Sequence, residues 1–131
     1  MLALHRHAPV LQLWDGSLRW LGLLPVAAGL AIASWHARLF RRRGTNIDTF
    51  GEPGTIVREG MFRRTRNPMY LGFVITLSGL AACLGSLSPF LAVAAFKLLV
   101  HHWYIRVEER AMLRKFGQDY LEYQRTVPRW L

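Results

Sequence analysis

Apolar residues fall into three blocks along the chain, and nowhere do they alternate with period two over a useful length. The blocks are about Leu18 to Leu39, Met69 to Ser86, and Phe90 to Ile105. Continuous apolar runs of this kind predict helices, not half-buried strands. A membrane span takes about 20 residues at 1.5 Å each, with ~17 as a lower limit. The first block is long enough and the other two sit near the minimum. Only Gly85-Ser86-Leu87-Ser88-Pro89 separates the second from the third, and that composition is a turn signal. The expectation is an all-α integral membrane helical bundle of three transmembrane helices, spans 18–39, 69–86 and 90–105, the last two forming a tight C-terminal helical hairpin. The whole chain, 1–131, reads as one domain.

Small residues recur within the blocks at helical spacing. Gly72, Thr76, Gly79, Cys83 and Ser86 share one face of the second block, and Gly22, Val26, Gly29 and Ala33 share one face of the first. In lipid such faces let helices approach closely and gain dispersion contacts, so they predict packing.

Composition supports the membrane reading. The chain is 52% hydrophobic and 19% charged, more apolar than an ordinary soluble domain of this size. Its charge of +9 comes from fifteen Arg and two Lys against eight acids. These cations flank apolar runs and are not interleaved with polar surface, which points to a juxtamembrane role and away from nucleic acid. Seven arginines lie between Arg41 and Asn67, six basic residues follow from Arg106, and the hairpin turn has none. The positive-inside rule then makes loop 41–67 and tail 106–131 cytoplasmic, with the N-terminus outside. The basic residues follow the first apolar block with no small-residue cleavage site between, a pattern of retention and not of a cleaved signal. The single cysteine, Cys83, allows no intramolecular disulfide, and no metal site is expected.

Two polar motifs stand at the mouths of the hairpin helices. At Arg66-Asn67-Pro68, Asn is a favoured N-cap and Pro a favoured first helical residue, so the second span starts here with Asn67 capping. Free N–H groups, the positive dipole end and Arg66 together make an anion site. The plainer alternative is a cap and a basic flank, which any membrane helix needs. The second motif is Glu108-Glu109, where the third span leaves the membrane. Adjacent helical residues point about 100° apart, so one glutamate is placed to pair with Arg106 or Arg110 and the other to face the bundle. A hairpin returns both motifs to one membrane face, where an anion site beside a carboxylate suits a zwitterionic ligand.

The residues Arg-Asn-Pro-Met-Tyr-Leu-Gly at 66–72, the Glu-Glu-Arg-x-x-Leu-x-x-Phe-Gly-x-x-Tyr-x-x-Tyr at 108–123 and Val-Pro-Arg-Trp at 127–130 resemble the isoprenylcysteine carboxyl methyltransferase family. That family is grouped with the phospholipid methyltransferases, and the stretches at 40–45 and 56–63 resemble its bacterial branch. The resemblance covers roughly Arg19 to Trp130. It implies an S-adenosyl-L-methionine-dependent methyltransferase of the bacterial inner membrane, its active site facing the cytoplasm. It also implies that Arg66, Asn67, Tyr70, Gly72, Glu108 and Glu109 line the cofactor pocket. The implied acceptor is a lipophilic small molecule arriving sideways from membrane lipid, with O-methylation the reaction of the resembled family.

His101 and Tyr104 are candidate substrate contacts. His101 and His102 read equally as interface or packing residues, and no catalytic base is assigned. Eukaryotic relatives, as aligned here, carry a basic residue where this chain has Tyr104, which weakens the expectation of a prenylcysteine acceptor. Relatives usually have one more span before Leu18. A shorter variant, a late start, or a partner helix or second copy filling the gap would each account for this. Aromatics at Phe116, Tyr120, Tyr123 and Trp130 make the tail either an interface anchor or a lid over the cofactor. The reading from a different class is a non-catalytic membrane protein that uses the hairpin as an assembly module.

Overall fold

The computed structural model describes residues 1–7, 13, 16–45 and 51–131, and no β-strand forms among them. Part of the N-terminal segment (8–12, 14–15) and part of the basic loop (46–50) lie outside the described residues. Helix α1 spans Leu2–His7. A 3₁₀ segment, Gly16–Gly22, runs into α2, Leu23–Arg42. Pro25 explains the change of winding: it has no N–H to donate one turn back and its ring crowds that turn, so α-helical bonding is interrupted there. Helix α3 is Pro68–Leu84 and α4 is Ser88–Leu99. A π-helical segment, Val100–Tyr104, joins α4 to α5, Ile105–Phe116, and α6 is Gln118–Thr126.

Two rods, Gly16–Arg42 with 27 residues and Ser88–Phe116 with 29, are long and apolar enough to cross a membrane. Helix α3 is apolar but has 17 residues, about 26 Å of rise. Only 17% of each long rod's apolar window is buried within the chain. Leu24, Trp35, Leu91, Leu98 and Trp103 therefore face outward, a surface suited to hydrocarbon and costly in water.

Helices α2 and α3 pack antiparallel along the two small-residue faces. A Cβ on Gly22 would lie 2.5 Å from the carbonyl oxygen of Gly79, and one on Gly29 would lie 2.4 Å from that of Gly72. Only hydrogen fits at these crossings, so the backbones touch directly. The hairpin closes at Gly85, whose φ of 74° ends α3 in the left-handed region that glycine adopts without a Cβ penalty. Helix α1 lies against this turn, with His5 Nδ1 2.8 Å from the hydroxyl of buried Ser86, and with Ser88 donating to the Leu4 carbonyl at 3.3 Å.

The third apolar block runs on as helix well beyond its expected end at Ile105, to Phe116. The buried positions show how. Val93 and Val100 are seven apart and share a face, but the next buried residues are Ile105 and Glu109. A step of five would turn Ile105 about 140° away in an unbroken α-helix. The π segment adds a residue to one turn and brings Ile105 and Glu109 back to the inside. Beyond them Met112, Leu113 and Phe116 pack on a small core of Tyr120, Tyr123 and Val127. This burial keeps the polar extension helical until Gly117, at φ 51°, breaks it.

Candidate active site

Both polar motifs lie at the end of the bundle remote from the hairpin turn. Pro68 opens α3 and Asn67 occupies the cap position, its carbonyl accepting from the Leu71 amide at 3.0 Å. The side chain does not cap, which corrects the expectation. Asn67 Nδ2 donates instead to the Arg129 carbonyl at 2.9 Å, and the Thr65 hydroxyl donates to the same oxygen at 3.1 Å. The Arg66 amide donates to the Pro128 carbonyl at 2.9 Å. The chain end thus lies across the start of α3 and satisfies groups that would otherwise be stranded in a buried place.

Glu108 and Glu109 part company as their angular offset requires. Glu108 accepts a hydrogen bond from the Tyr70 hydroxyl at 2.6 Å. Glu109, 8% exposed, faces two guanidinium groups. Arg129 grips it with both arms, Nε on Oε1 at 3.0 Å and Nη2 on Oε2 at 2.5 Å, a bidentate charge-assisted pair. Arg66 Nη1 stands 3.2 Å from Oε1, within ion-pair distance. That contact is out of line for a hydrogen bond, and Arg66 Nε and Nη1 are both buried without an acceptor among the described residues. Glu109 is thus the glutamate that faces the bundle, and the cation that grips it is the distant Arg129, brought there because the tail folds back.

These groups border a cavity of about 100 Å³. Arg66, Asn67, Tyr70, Glu108 and Glu109 form its polar wall, and Phe62, Ile56, Val57 and Met112 its apolar wall. Tyr120 and Tyr123 of α6 close the remaining side. Tyr123 donates to the Phe62 carbonyl at 2.7 Å, and Phe62 stacks on Phe40 of α2. The Met61 amide donates to His36 Nε2 at 3.3 Å, which leaves the His36 Nδ1 proton for the Ile32 carbonyl at 2.7 Å. The loop floor is thereby fastened to α2.

Burial pushes the Tyr120 phenol up to about 12, with Glu109 adding to the effect and Arg66 opposing it. Tyr123 is raised too, by burial first and then by Tyr120. The hydrogen bonds from Arg129 to Glu109 hold that guanidinium above its usual value. Both phenols thus keep their protons at neutral pH, and Arg66, Arg129 and Glu109 form a charge network that burial strengthens.

Of the six residues assigned to one pocket from the sequence, five border this cavity. Gly72 does not: it faces α2, where a Cβ would meet the Gly29 carbonyl oxygen at 2.6 Å and the Ala33 amide nitrogen at 2.9 Å. His101 also lies apart from the cavity, beneath the tail. Its Nδ1 is 3.0 Å from Trp130 Nε1 and its Nε2 is 3.2 Å from Arg129 Nη1. Both partners only donate and a neutral imidazole accepts at one nitrogen, so one contact at a time is a hydrogen bond. Tyr104 borders a different, apolar cleft of about 590 Å³ between α2, α3 and the π segment.

Arg129 and Thr65 lie at this site and were not assigned from the sequence; Tyr120 and Tyr123 were named only as tail aromatics, anchor or lid. For Arg129 the available signal was the quoted Val-Pro-Arg-Trp motif, in a tail that had no assigned seat.

A family model described as phospholipid methyltransferase matches residues 18–119. That range contains Arg66, Asn67, Tyr70, Glu108 and Glu109 and stops just short of Tyr120. A protein of Haemophilus influenzae, described only as uncharacterized, is 35% identical over 63 residues, 48% of this chain and 100% of that one. No solved structure matches.

Proposed function

Since the chain belongs to the phospholipid methyltransferase family, a family of membrane methyltransferases, we propose that it moves a methyl group from S-adenosyl-L-methionine to a lipophilic small-molecule acceptor. The observation that carries this reading is Arg66 at the open end of α3: it stands within ion-pair distance of Glu109, yet its buried Nε and Nη1 make no hydrogen bond among the described residues. Buried N–H groups without a hydrogen bond are costly, and an anionic ligand group would supply the missing acceptors beside the positive end of the helix dipole.

The donor set fits the cofactor. Arg66 would take its carboxylate. Glu109 would take its ammonium, exchanging one cation for another as Arg129 yields. Asn67 and the Tyr120 hydroxyl offer hydrogen bonds to ribose, and Phe62, Ile56 and Met112 offer an apolar wall to the base. When bound, S-adenosyl-L-methionine supplies an electrophilic methyl group on a sulfonium. The chain's own work is to orient that group and exclude water. A cavity of about 100 Å³ is below the ~300 Å³ at which ligand pockets begin. Entry therefore displaces part of the wall, and α6 with the 127–130 tail, held over the start of α3 by a few hydrogen bonds and the Arg129–Glu109 pair, is the part that yields, so the tail acts as a lid.

The same reading takes α3 as a third, short span and puts the site at the cytoplasmic face of a bacterial inner membrane, in line with the arginines of the loop and tail. The test is calorimetry with S-adenosylhomocysteine on protein in detergent micelles. Binding is expected in the wild type and strong weakening in Arg66→Ala, with the melting transition retained. Absence of binding heat in the wild type would refute the enzyme reading and favour the assembly module.

A further inference from the structure

The polar cavity and the apolar cleft are neighbours with a common wall, Met69 and Tyr70. The cleft opens between α2, α3 and the fourth helix, lined by Leu30, Phe73, Phe96, Leu99 and Tyr104 among others, and no Lys, Arg or His lines it. Tyr70 is therefore the one ring with a hydroxyl that borders both spaces, and that hydroxyl is 2.6 Å from a carboxylate oxygen of Glu108.

Building on the methyl-transfer reading above, we propose that Tyr70 and Glu108 form a proton relay for the acceptor, and that the acceptor is a lipophilic molecule whose nucleophile is an O–H or N–H group. The acceptor's tail lies in the apolar cleft and its O–H or N–H group meets the Tyr70 oxygen. As the heteroatom bonds to the methyl carbon, the carbon–sulfur bond breaks and its electron pair leaves with a neutral thioether. The acceptor's proton moves to the Tyr70 oxygen while the Tyr70 proton moves to Glu108. Positive charge on the sulfonium and negative charge on Glu108 are thus discharged together, and Tyr70 ends unchanged.

The surroundings argue against a carboxylate acceptor on the same grounds. An ionised carboxylate in the cleft would find no cation there and would approach Glu108, a like charge, in a low-dielectric place. It also has no proton to give, so the 2.6 Å pair at the junction would be idle. The Asn67, Arg66, Glu108 and Glu109 groups border the cavity and not the cleft, which leaves the Tyr70 hydroxyl, with Glu108 behind it at 2.6 Å, as the polar group that borders both spaces.

The experiment uses the full chain in detergent micelles with methyl-labelled S-adenosyl-L-methionine and three probes, each with a twelve-carbon chain: 4-dodecylphenol, dodecylamine and dodecanoate. The phenol or the amine is expected to be labelled and dodecanoate not. Tyr70→Phe keeps the ring in the shared wall and Glu108→Gln keeps the side chain's shape. Each should lower kcat about 100-fold with KM for the probe and calorimetric affinity for S-adenosylhomocysteine within about threefold of wild type. The proposal is overturned if dodecanoate is labelled as fast as the phenol, if Tyr70→Phe keeps its kcat, or if no probe is labelled by protein that binds S-adenosylhomocysteine. It is also overturned if both variants lose that binding in step with kcat, since the pair would then belong to the cofactor's own pocket. Loss of binding in the wild type itself strikes the methyl-transfer reading instead.

Discussion

Gly72→Ala separates a packing role from a pocket role at one position. An added Cβ would stand 2.6 Å from the Gly29 carbonyl oxygen, 2.9 Å from the Ala33 amide nitrogen and 3.1 Å from the Ala33 Cβ. The first two neighbours are backbone of α2 and cannot rotate away. To reach ordinary contact the helices must part by roughly an ångström, and overpacking of this kind costs about 1–3 kcal/mol. Gly29→Ala strains the same crossing from the other side, its Cβ 2.4 Å from the Gly72 carbonyl oxygen. Once one methyl has opened the gap the second meets less resistance. The double variant should therefore cost less than the sum of the singles, by about 0.5 kcal/mol or more. Unfolding midpoints of the four proteins in one detergent give the cycle, and calorimetry with S-adenosylhomocysteine gives the ligand side. Lower stability with near-native affinity is expected for Gly72→Ala. Strictly additive costs would refute the shared crossing, and unchanged stability with lost binding would return Gly72 to the pocket wall.

Glu109→Gln strips the partner from Arg66 and Arg129 together, and breaking a buried ion pair in this way costs about 3 kcal/mol. Carboxypeptidase should then trim the 127–131 tail faster than in wild type, and equal trimming rates would refute the clamp. Tyrosine absorbance followed against pH should show part of the change delayed to about pH 12, where Tyr120 ionises, and Tyr120→Phe should remove it. The sign follows from proton linkage. The folded state holds this proton above the unfolded value near 10, so Tyr120's share of stability is whole below pH ~10 and is lost as pH rises toward 12. A stability profile that rises across that window would contradict the burial assigned to this ring. Deleting His102 removes the extra residue of the π turn, which should relax to α-helix; Ile105 then follows Val100 by four residues, about 40° off, so Glu108 and Glu109 keep their aim. S-adenosylhomocysteine binding should survive that deletion and disappear when Arg106 is deleted instead, which swings both glutamates by about 100° with circular dichroism unchanged; the opposite pair of outcomes would refute the phase argument.

Much of the framework was legible because it follows from local rules. The turn at Gly85 follows from Gly-Ser-Leu-Ser-Pro, and the antiparallel seating of Gly22 and Gly29 on Gly79 and Gly72 follows from small residues at helical spacing. The meeting of the Arg66 and Glu109 motifs follows from hairpin geometry. What was not legible depends on partners far along the chain. Asn67 has the right backbone position for a cap, but its amide is used by a carbonyl 62 residues away. Local preference could not foresee that competition. Arg129 reaches the bundle-facing Glu109 from 20 residues away in the same manner. The helical run to Phe116 needs the Tyr120 and Tyr123 rings as cover, and a polar, amphipathic stretch does not announce that cover by itself. The tail was open between anchor and lid, and its residues divide the work: Tyr120 and Tyr123 border the cavity while Trp130 packs against His101 and Lys97.

The wide turn at Val100–Tyr104 has a consequence for how this helix tolerates sequence change. Upstream, side chains keep step with the apolar cleft; downstream, they keep step with the carboxylate cavity; the two rhythms meet only at the five residues of the turn. The rod therefore behaves as two independently phased rulers joined at a vernier. Substitutions on either ruler leave the other's aim untouched, so the cleft can be retuned for a new acceptor while Glu108 and Glu109 stay trained on the cavity. One inserted or lost residue elsewhere between the two would misalign cleft and cavity at once.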